Sequence, residues 1–342
     1  MAEVRILYPD VLSTDEHAVE RAVAPPGVAF DIYNERDPAA IPDRVWQRCD
    51  GMVTGIRMPI DGAVIGRLES CRIITRLGVG YDLIDVAAAG ARGIAVCNVP
   101  DYGTTEVADH ALALLLSLTR GVARYNEAYR ADAEAGWNYQ IAPTVTRHGG
   151  KTFGVIGLGR IGTAAAMRAK AFGMRVTFYD PYVPDGQELA LGIGRVRALA
   201  DLLGQADFVT IHAPLTEDTR HLIDARAVAA MKPGLILVNT ARGPIVDLDA
   251  AYDGLKSGKL GAVGLDVFDL EPPPADHPLI RAWRAGEDWI AGRCLITPHA
   301  AFYSPTSVVD LREKAVMTCV DFLTGGILRN CVNRDLLKDG PG

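Results

Sequence analysis

The stretch KTFGVIGLGRIGTAAAMRAKAFGMRVTFYD, residues 151–180, constrains this chain more than any other. Its apolar run at 153–156 suits a buried parallel strand, and Gly157, Gly159 and Gly162 follow it as G-x-G-x-x-G. A helix-forming, Ala-rich segment comes next. A second β-branched and aromatic run at 176–179 then ends at Asp180, about 18 residues beyond the last glycine. Strand, glycine turn, helix, strand and acid in that order form a unit suited to a dinucleotide. The first glycine turns the chain out of the strand, the second admits a pyrophosphate to the backbone, and the third lets helix and sheet pack closely. The phosphates are expected on the free amides where the helix starts, near Arg160 and Ile161, where the helix dipole favours negative charge. Asp180 can accept hydrogen bonds from both ribose hydroxyls and would repel a 2′-phosphate. Pro181 and Tyr182 follow it, with no basic residue to receive that phosphate, so NAD is expected over NADP.

The same rhythm runs through the rest of the chain. Strand-like runs at 4–8, 28–33, 51–54, 73–77 and 94–99 alternate with helical patterns at 16–23, 44–48, 62–68 and 85–91. Such alternation predicts a parallel sheet covered on both faces. No G-x-G-x-x-G occurs there, so this first domain should hold no nucleotide. Pro100, Asp101 and Gly103 break the pattern and make a hinge. TTEVADHALALLLSLTRGVARYNEAYR is then expected as one long helix, mostly buried because its apolar residues are too dense for a single stripe. Beyond Asp180, strands at 208–211, 235–239, 262–267 and 295–297 and helices at 199–203, 225–231 and 248–256 complete a second domain at 101–300. Residues 275–293, with Trp283 and Trp289, are expected as a loop with some helix, and a helix around 307–323 closes the chain. The fold class is α/β, with two doubly wound parallel-sheet domains.

Bulk properties narrow the function. At 342 residues, 49% hydrophobic and 23% charged, the chain is globular and long enough for two domains. A net charge of −7 with scattered acids leaves no basic footprint for nucleic acid. No apolar run approaches the ~18 residues of a membrane span, and the opening MAEVRILYPD carries no secretory pattern. Cys49, Cys71, Cys97, Cys294, Cys319 and Cys331 form no C-x-x-C and no ligand spacing with histidine. No metal site is therefore expected, and the thiols read as reduced ones in a cytoplasmic protein.

Three polar residues fall at ends of expected strands, where α/β sheets place their ligands: Arg242, Glu271 and His299. Hydride transfer to a 2-oxo acid needs a cation for the carboxylate, a proton donor at the carbonyl oxygen, and a partner for that donor. Arginine offers a bidentate fork. Histidine titrates near neutral pH, and an adjacent carboxylate favours its protonated form and orients it. His212 reads as a structural or cofactor-adjacent histidine, and His110 as a packed one.

NTARG, GLDVFDLEP and TPHAA resemble the segments that carry the catalytic residues of the D-isomer-specific 2-hydroxyacid dehydrogenase family, a likeness spanning nearly the whole chain. The resemblance implies a Rossmann NAD-binding domain at 101–300 and a flavodoxin-like substrate domain at 1–100, completed by 301–342. It implies Arg242 for substrate binding and polarisation, His299 as acid/base and Glu271 as its partner. RLGVGYDLIDV resembles the loop whose amides grip the substrate carboxylate, around Val79 and Gly80. HAPLTEDT, at 212–219, resembles the stretch under the cofactor, which implies contacts from His212, Ala213, Pro214 and Thr219. Thr240 and Ala241 join them, and Asp266 matches an aspartate that binds the nicotinamide carboxamide. Within the family the chain is most similar to the C-terminal-binding proteins, NAD-dependent corepressors. Arg76 matches an arginine of their substrate pocket, and Phe302 stands where they carry tryptophan beside the substrate. The expected function is NAD-dependent reduction of a small 2-oxo acid, or oxidation of the 2-hydroxy acid, by a homodimer. The rival is an NAD(H)-sensing binding protein, which the short segment after the last helix disfavours. The length likewise disfavours a phosphoglycerate dehydrogenase with a regulatory domain, and the Glu–His pairing disfavours a formate dehydrogenase.

Overall fold

Successive side chains along the strands point to opposite faces and are buried on both, which separates two cores in each of two sheets. The computed structural model describes residues 3–11 and 15–337, so positions 1–2, 12–14 and 338–342 of the expected first domain lie outside the described residues. The chain divides into two units, 1–103 with 304–342, and 104–303.

In the first unit, β1 (Val4–Tyr8), β2 (Val28–Ile32), β3 (Gly51–Thr54), β4 (Ile73–Arg76) and β5 (Ala95–Cys97) form a parallel sheet in the order β2-β1-β3-β4-β5. Leu7, Met52, Ile74 and Val96 face one core with Trp46 and Ile65. Ile6, Tyr8, Val53, Ile73 and Ala95 face the other, which the last helix, Pro305–Gly325, fills with Leu311, Val316 and Leu323. That helix starts at a capping box, with Ser304 and Ser307 each bonding the other's backbone.

In the second unit, β6 (Thr152–Ile156), β7 (Arg175–Tyr179), β8 (Gly194–Val196), β9 (Phe208–Ile211), β10 (Leu235–Asn239), β11 (Leu260–Leu265) and β12 (Cys294–Ile296) pair in parallel. Their order, β12-β11-β10-β9-β6-β7-β8, reverses direction between β6 and β9. Open α/β sheets bind ligands at such a reversal, beyond the carboxyl ends of the strands. Helices Thr104–Arg120 and Arg160–Ala171 cover one face, where Leu115, Ala165 and Ala169 meet Phe153, Val155 and Val238. The other core joins Leu235, Leu237, Val263, Leu255 and Ile280.

One expectation is corrected. The long helix is two helices, Thr104–Arg120 and Val122–Ala131, broken at Gly121, which has φ +69. A Cβ there would also lie 2.6 Å from Ala142 Cβ, so the break needs glycine. The first helix is buried as expected, whereas the second has no buried residue. The segment 275–293 is a loop with some helix, as expected: helix Pro278–Ala285 buries Leu279, Ile280 and Ala282 in the second unit's core, and Lys256 lies 3.8 Å over the Trp289 ring. This segment buttresses helix Leu248–Ser257. The short strand β8 and helix Gln187–Leu191 were too brief for a periodic signal.

Candidate active site

The glycine turn after β6 is built for close approach. Gly157 has φ +86, and a Cβ on it would lie 2.7 Å from Ala213 N, at the start of the loop after β9. A Cβ on Gly162 would lie 2.0 Å from Gly157 O. Nothing lies within 4 Å of a Cβ at Gly159, the N-cap of helix Arg160–Ala171, which has no side-chain cap. Uncapped amides at Arg160 and Ile161 thus stand at an open helix N-terminus at the sheet's reversal point, which suits a pyrophosphate.

Asp180 ties this turn together. Its Oδ2 accepts from Leu158 N at 2.8 Å, and its Oδ1 from Tyr182 N at 2.8 Å and Val183 N at 3.2 Å. A carboxylate has about four acceptor positions, so capacity remains for a ribose hydroxyl. Sequence reasoning missed Arg195, a basic residue on β8 that packs beneath this loop. Its guanidinium donates to Asp180 O and Val183 O at 3.2 and 2.7 Å and pairs with Asp185, and its side chain is only 6% exposed. Arg195 shapes the loop from behind, and no local pattern linked it to a residue 15 positions earlier.

His212 follows β9, with Nε2 3.0 Å from Thr210 Oγ1. Desolvation pushes its imidazole down to about 3, so the ring is neutral. Thr219 closes the turn after Pro214, its hydroxyl donating to Pro214 O at 2.7 Å. Thr240 Oγ1 is buried with no hydrogen-bond partner among the described residues. An orphaned hydroxyl beyond β10, an open helix N-terminus and the glycine cradle together fit a dinucleotide.

Arg242 leaves β10 through a turn held by buried Asn239, whose Nδ2 donates to Arg242 O at 2.9 Å and whose Oδ1 accepts from Ala241 N at 3.0 Å. The Arg242 guanidinium donates to Ala241 O at 2.7 Å. Gly243 brings this turn against the segment before Glu271, since a Cβ there would lie 1.9 Å from Phe268 C. Glu271 then spans two contacts: Oε1 accepts from Phe268 N at 3.1 Å, and Oε2 meets His299 Nδ1 at 2.7 Å. Burial raises the Glu271 pKa, but the His299 hydrogen bond and charge, Phe268 N–H and the Arg242 charge outweigh it. The carboxyl is held below its ordinary range and stays ionised.

Asp266 fixes the loop that carries His299. Its buried carboxylate accepts from Thr297 Oγ1 at 2.5 Å, Ala300 N at 2.8 Å and Ala301 N at 3.0 Å, and its carbonyl accepts from His299 N at 2.8 Å. His110, expected as a packed residue, meets Thr297 Oγ1 through Nε2 at 3.0 Å. His299 itself has φ +53, which is rare outside glycine. Phe302 packs edge-on against its ring, with centroids 6.1 Å apart. Because Nδ1 faces Glu271, Nε2 is the nitrogen placed for proton exchange with a ligand. Arg242, Glu271 and His299 therefore share one sheet edge with Gly157, Asp180, His212 and Thr240. Arg76, Val79 and Gly80 belong to the first unit, after β4; Arg76 is buried and donates to Leu77 O.

The neutral His212 sets a pH dependence. Between its ordinary value of 6.5 and about 3, the unfolded chain takes a proton that the folded chain refuses. Stability from this group is present above pH 6.5 and is lost as pH falls towards 3, by at most about 1.4 kcal/mol per pH unit. His212→Asn should flatten that part of the stability–pH curve in denaturant unfolding; an unchanged slope would contradict the assignment.

Residues 112–301 match the family model described as D-isomer specific 2-hydroxyacid dehydrogenase, NAD binding domain. A glyoxylate reductase from Korarchaeum cryptofilum is 38% identical over 318 residues, covering 91% of this chain and 92% of the relative. Among solved structures, an NADPH-dependent glyoxylate/hydroxypyruvate reductase from Sinorhizobium meliloti, with NADP and malonate, superposes with TM-score 0.83 at 28% identity, over 97% of each chain. A D-lactate dehydrogenase from Aquifex aeolicus, with NAD and lactic acid, gives 0.79 at 28% identity, over 94% of this chain and 96% of that one.

Proposed function

The chain belongs to the D-isomer specific 2-hydroxyacid dehydrogenase family and is an NAD-dependent oxidoreductase acting on a CH–OH group; on that premise we propose that it interconverts a small 2-oxo acid and its D-2-hydroxy acid. The observation that carries this reading is the 2.7 Å contact between His299 Nδ1 and Glu271 Oε2, on the sheet edge that also bears the glycine cradle. Bound NAD supplies the nicotinamide carbon that gives or takes the hydride. The turn at Gly157, Gly159 and Gly162 with the amides of Arg160 and Ile161 would hold the pyrophosphate, and Asp180 the ribose. His212, Ala213, Pro214, Thr219, Thr240, Ala241 and Asp266 would line the remainder. His299 Nε2 gives a proton to the carbonyl oxygen in reduction and takes it back in oxidation. Ionised Glu271 stabilises the charged ring and keeps Nδ1 as the inner nitrogen. Arg242 offers its fork to the substrate carboxylate, and Phe302 stands beside the acid/base. The proposed roles of Val79 and Gly80 towards the carboxylate, and of Arg76 towards the substrate, rest on the likeness of their loop. The names of the relatives put glyoxylate and hydroxypyruvate first among candidate substrates. The alternative of a corepressor-like sensor draws only on likeness at the level of one branch, and none of the relatives above supports it.

His299→Ala should lower kcat by about 10²–10⁴-fold, the usual contribution of a positioned acid/base. NADH binding, read by fluorescence, should persist; its loss with the chemistry would make His299 a structural residue instead.

A homodimer is part of the proposal. Helix Val122–Ala131 has no buried residue, and Trp137 and Tyr139 beyond it are 80% and 83% exposed, an apolar surface that suits a second copy. Light scattering should give a dimer mass that Trp137→Glu with Tyr139→Glu reduces to a monomer; a native monomer would refute this. Among the described residues no helix is long and apolar enough to cross a membrane. A cytoplasmic location is proposed from the unpaired cysteines, and cell fractionation checks it.

A further inference from the structure

The first unit brings cysteines together twice. Cys49 and Cys71 are both buried in the core against Trp46, each thiol donating to a backbone carbonyl: Cys49 to Trp46 O at 3.2 Å and Cys71 to Ile73 O at 3.3 Å. Cys97 and Cys331 differ in access. Cys97 ends β5 and is buried, whereas Cys331 is only half-buried.

These two residues face each other in an antiparallel bridge between β5 and the segment after the last helix. Val332 N donates to Val96 O at 2.8 Å and Asn98 N to Asn330 O at 3.3 Å, so the backbone bonds flank the pair. Cys97 and Cys331 therefore occupy a non-hydrogen-bonded position, where Cα atoms stand about 4.5 Å apart and side chains are closest. That spacing lies inside the range that disulfides span, roughly 4.4–6.8 Å. The bridge is well anchored: buried Asn333 accepts from Val96 N at 2.8 Å and donates to Ile94 O at 3.0 Å. Each thiol is the strongest influence on the other. Their hydrogen bond favours the Cys331 thiolate, while that bond and burial raise the Cys97 thiol, so the half-buried sulfur is the one placed to meet an oxidant.

The neighbours of Cys97 connect this pair to the loop after β4. Asn98 Nδ2 donates to Val79 O at 2.7 Å, and Val99 N to Gly78 O at 3.0 Å. We propose that Cys97 and Cys331 are an oxidation site that closes to a reversible disulfide in response to peroxide, and that the closed form alters the loop at 78–80. The second half of this proposal rests on the dehydrogenase reading, and the first does not. In the reaction the Cys331 sulfur attacks one peroxide oxygen, the O–O bond breaks, and a sulfenic acid and water form. The Cys97 sulfur then attacks the Cys331 sulfur and displaces its hydroxyl, which leaves as water with the Cys97 proton. Two thiols and one hydrogen peroxide thus give one disulfide and two waters, and a dithiol reductant reverses the change.

The test treats the full-length protein with hydrogen peroxide, then unfolds it, alkylates it and maps its peptides. Alkylatable thiols should fall from six to four, with a single linked peptide pair carrying Cys97 and Cys331. Dithiothreitol should restore all six, and both Cys331→Ser and Cys331→Ala should lose the link. Equal linkage of Cys49 to Cys71, or sulfinic acid at Cys331 with Cys97 still alkylatable, would overturn the site. For the bridged protein we expect a raised KM for the 2-oxo acid at unchanged NADH affinity. An unchanged KM would overturn the coupling to the loop. Failure of every 2-oxo acid to turn over would count against the dehydrogenase reading, while the peptide map would still decide the bridge.

Discussion

The carboxylate of Asp266 is the contact on which the catalytic set depends. A charge buried without hydrogen bonds costs several kcal/mol. Asp266 avoids that cost by accepting from Thr297, Ala300 and Ala301, which wraps the chain beyond β12 around one point. The wrapping holds His299 at φ +53, a conformation that costs about 1–3 kcal/mol unless its surroundings enforce it. Once His299 is fixed, its Nδ1 meets Glu271, and Gly243 lets the Arg242 turn approach the segment leading to Glu271. The buried charge therefore fixes His299 and, through it, the meeting with Glu271, while buried Asn239 holds the Arg242 turn.

Electrostatics on this edge are divided between two tasks. On the β6 side, helix amides with no side-chain cap and a lack of side chain at Gly159 leave room for a polyanion. On the β10–β12 side, an arginine, an ionised glutamate and a histidine stand close enough for the charge of Arg242 to act on Glu271. His212 is neutral through desolvation, which leaves proton traffic to His299. Such separation suits a reaction in which hydride and proton arrive from different groups.

Legibility in the sequence followed the range of the interactions. The glycine turn, the strand-end Arg242 and the TPH segment were readable because each is a local arrangement with a local physical reason. The helix break at Gly121 was not, because glycine inside a helical pattern is ambiguous until Ala142 is known to lie where its Cβ would be. Asp266 could be read as a polar residue at a strand end, but its bonds to residues 31 to 35 positions later belong to tertiary structure. Arg195 beneath the Asp180 loop and the meeting of Cys97 with Cys331 escaped for the same reason.

The most direct measurement is oxidation of NADH, and separately of NADPH, by the purified protein across a panel of 2-oxo acids that includes glyoxylate, hydroxypyruvate and pyruvate. Steady turnover with NADH well above that with NADPH, one favoured acid, and a D-configured product from the members that give a chiral one, hydroxypyruvate and pyruvate, is the predicted result. Tight NADH binding with no turnover on any member, or an L-configured product, would contradict it.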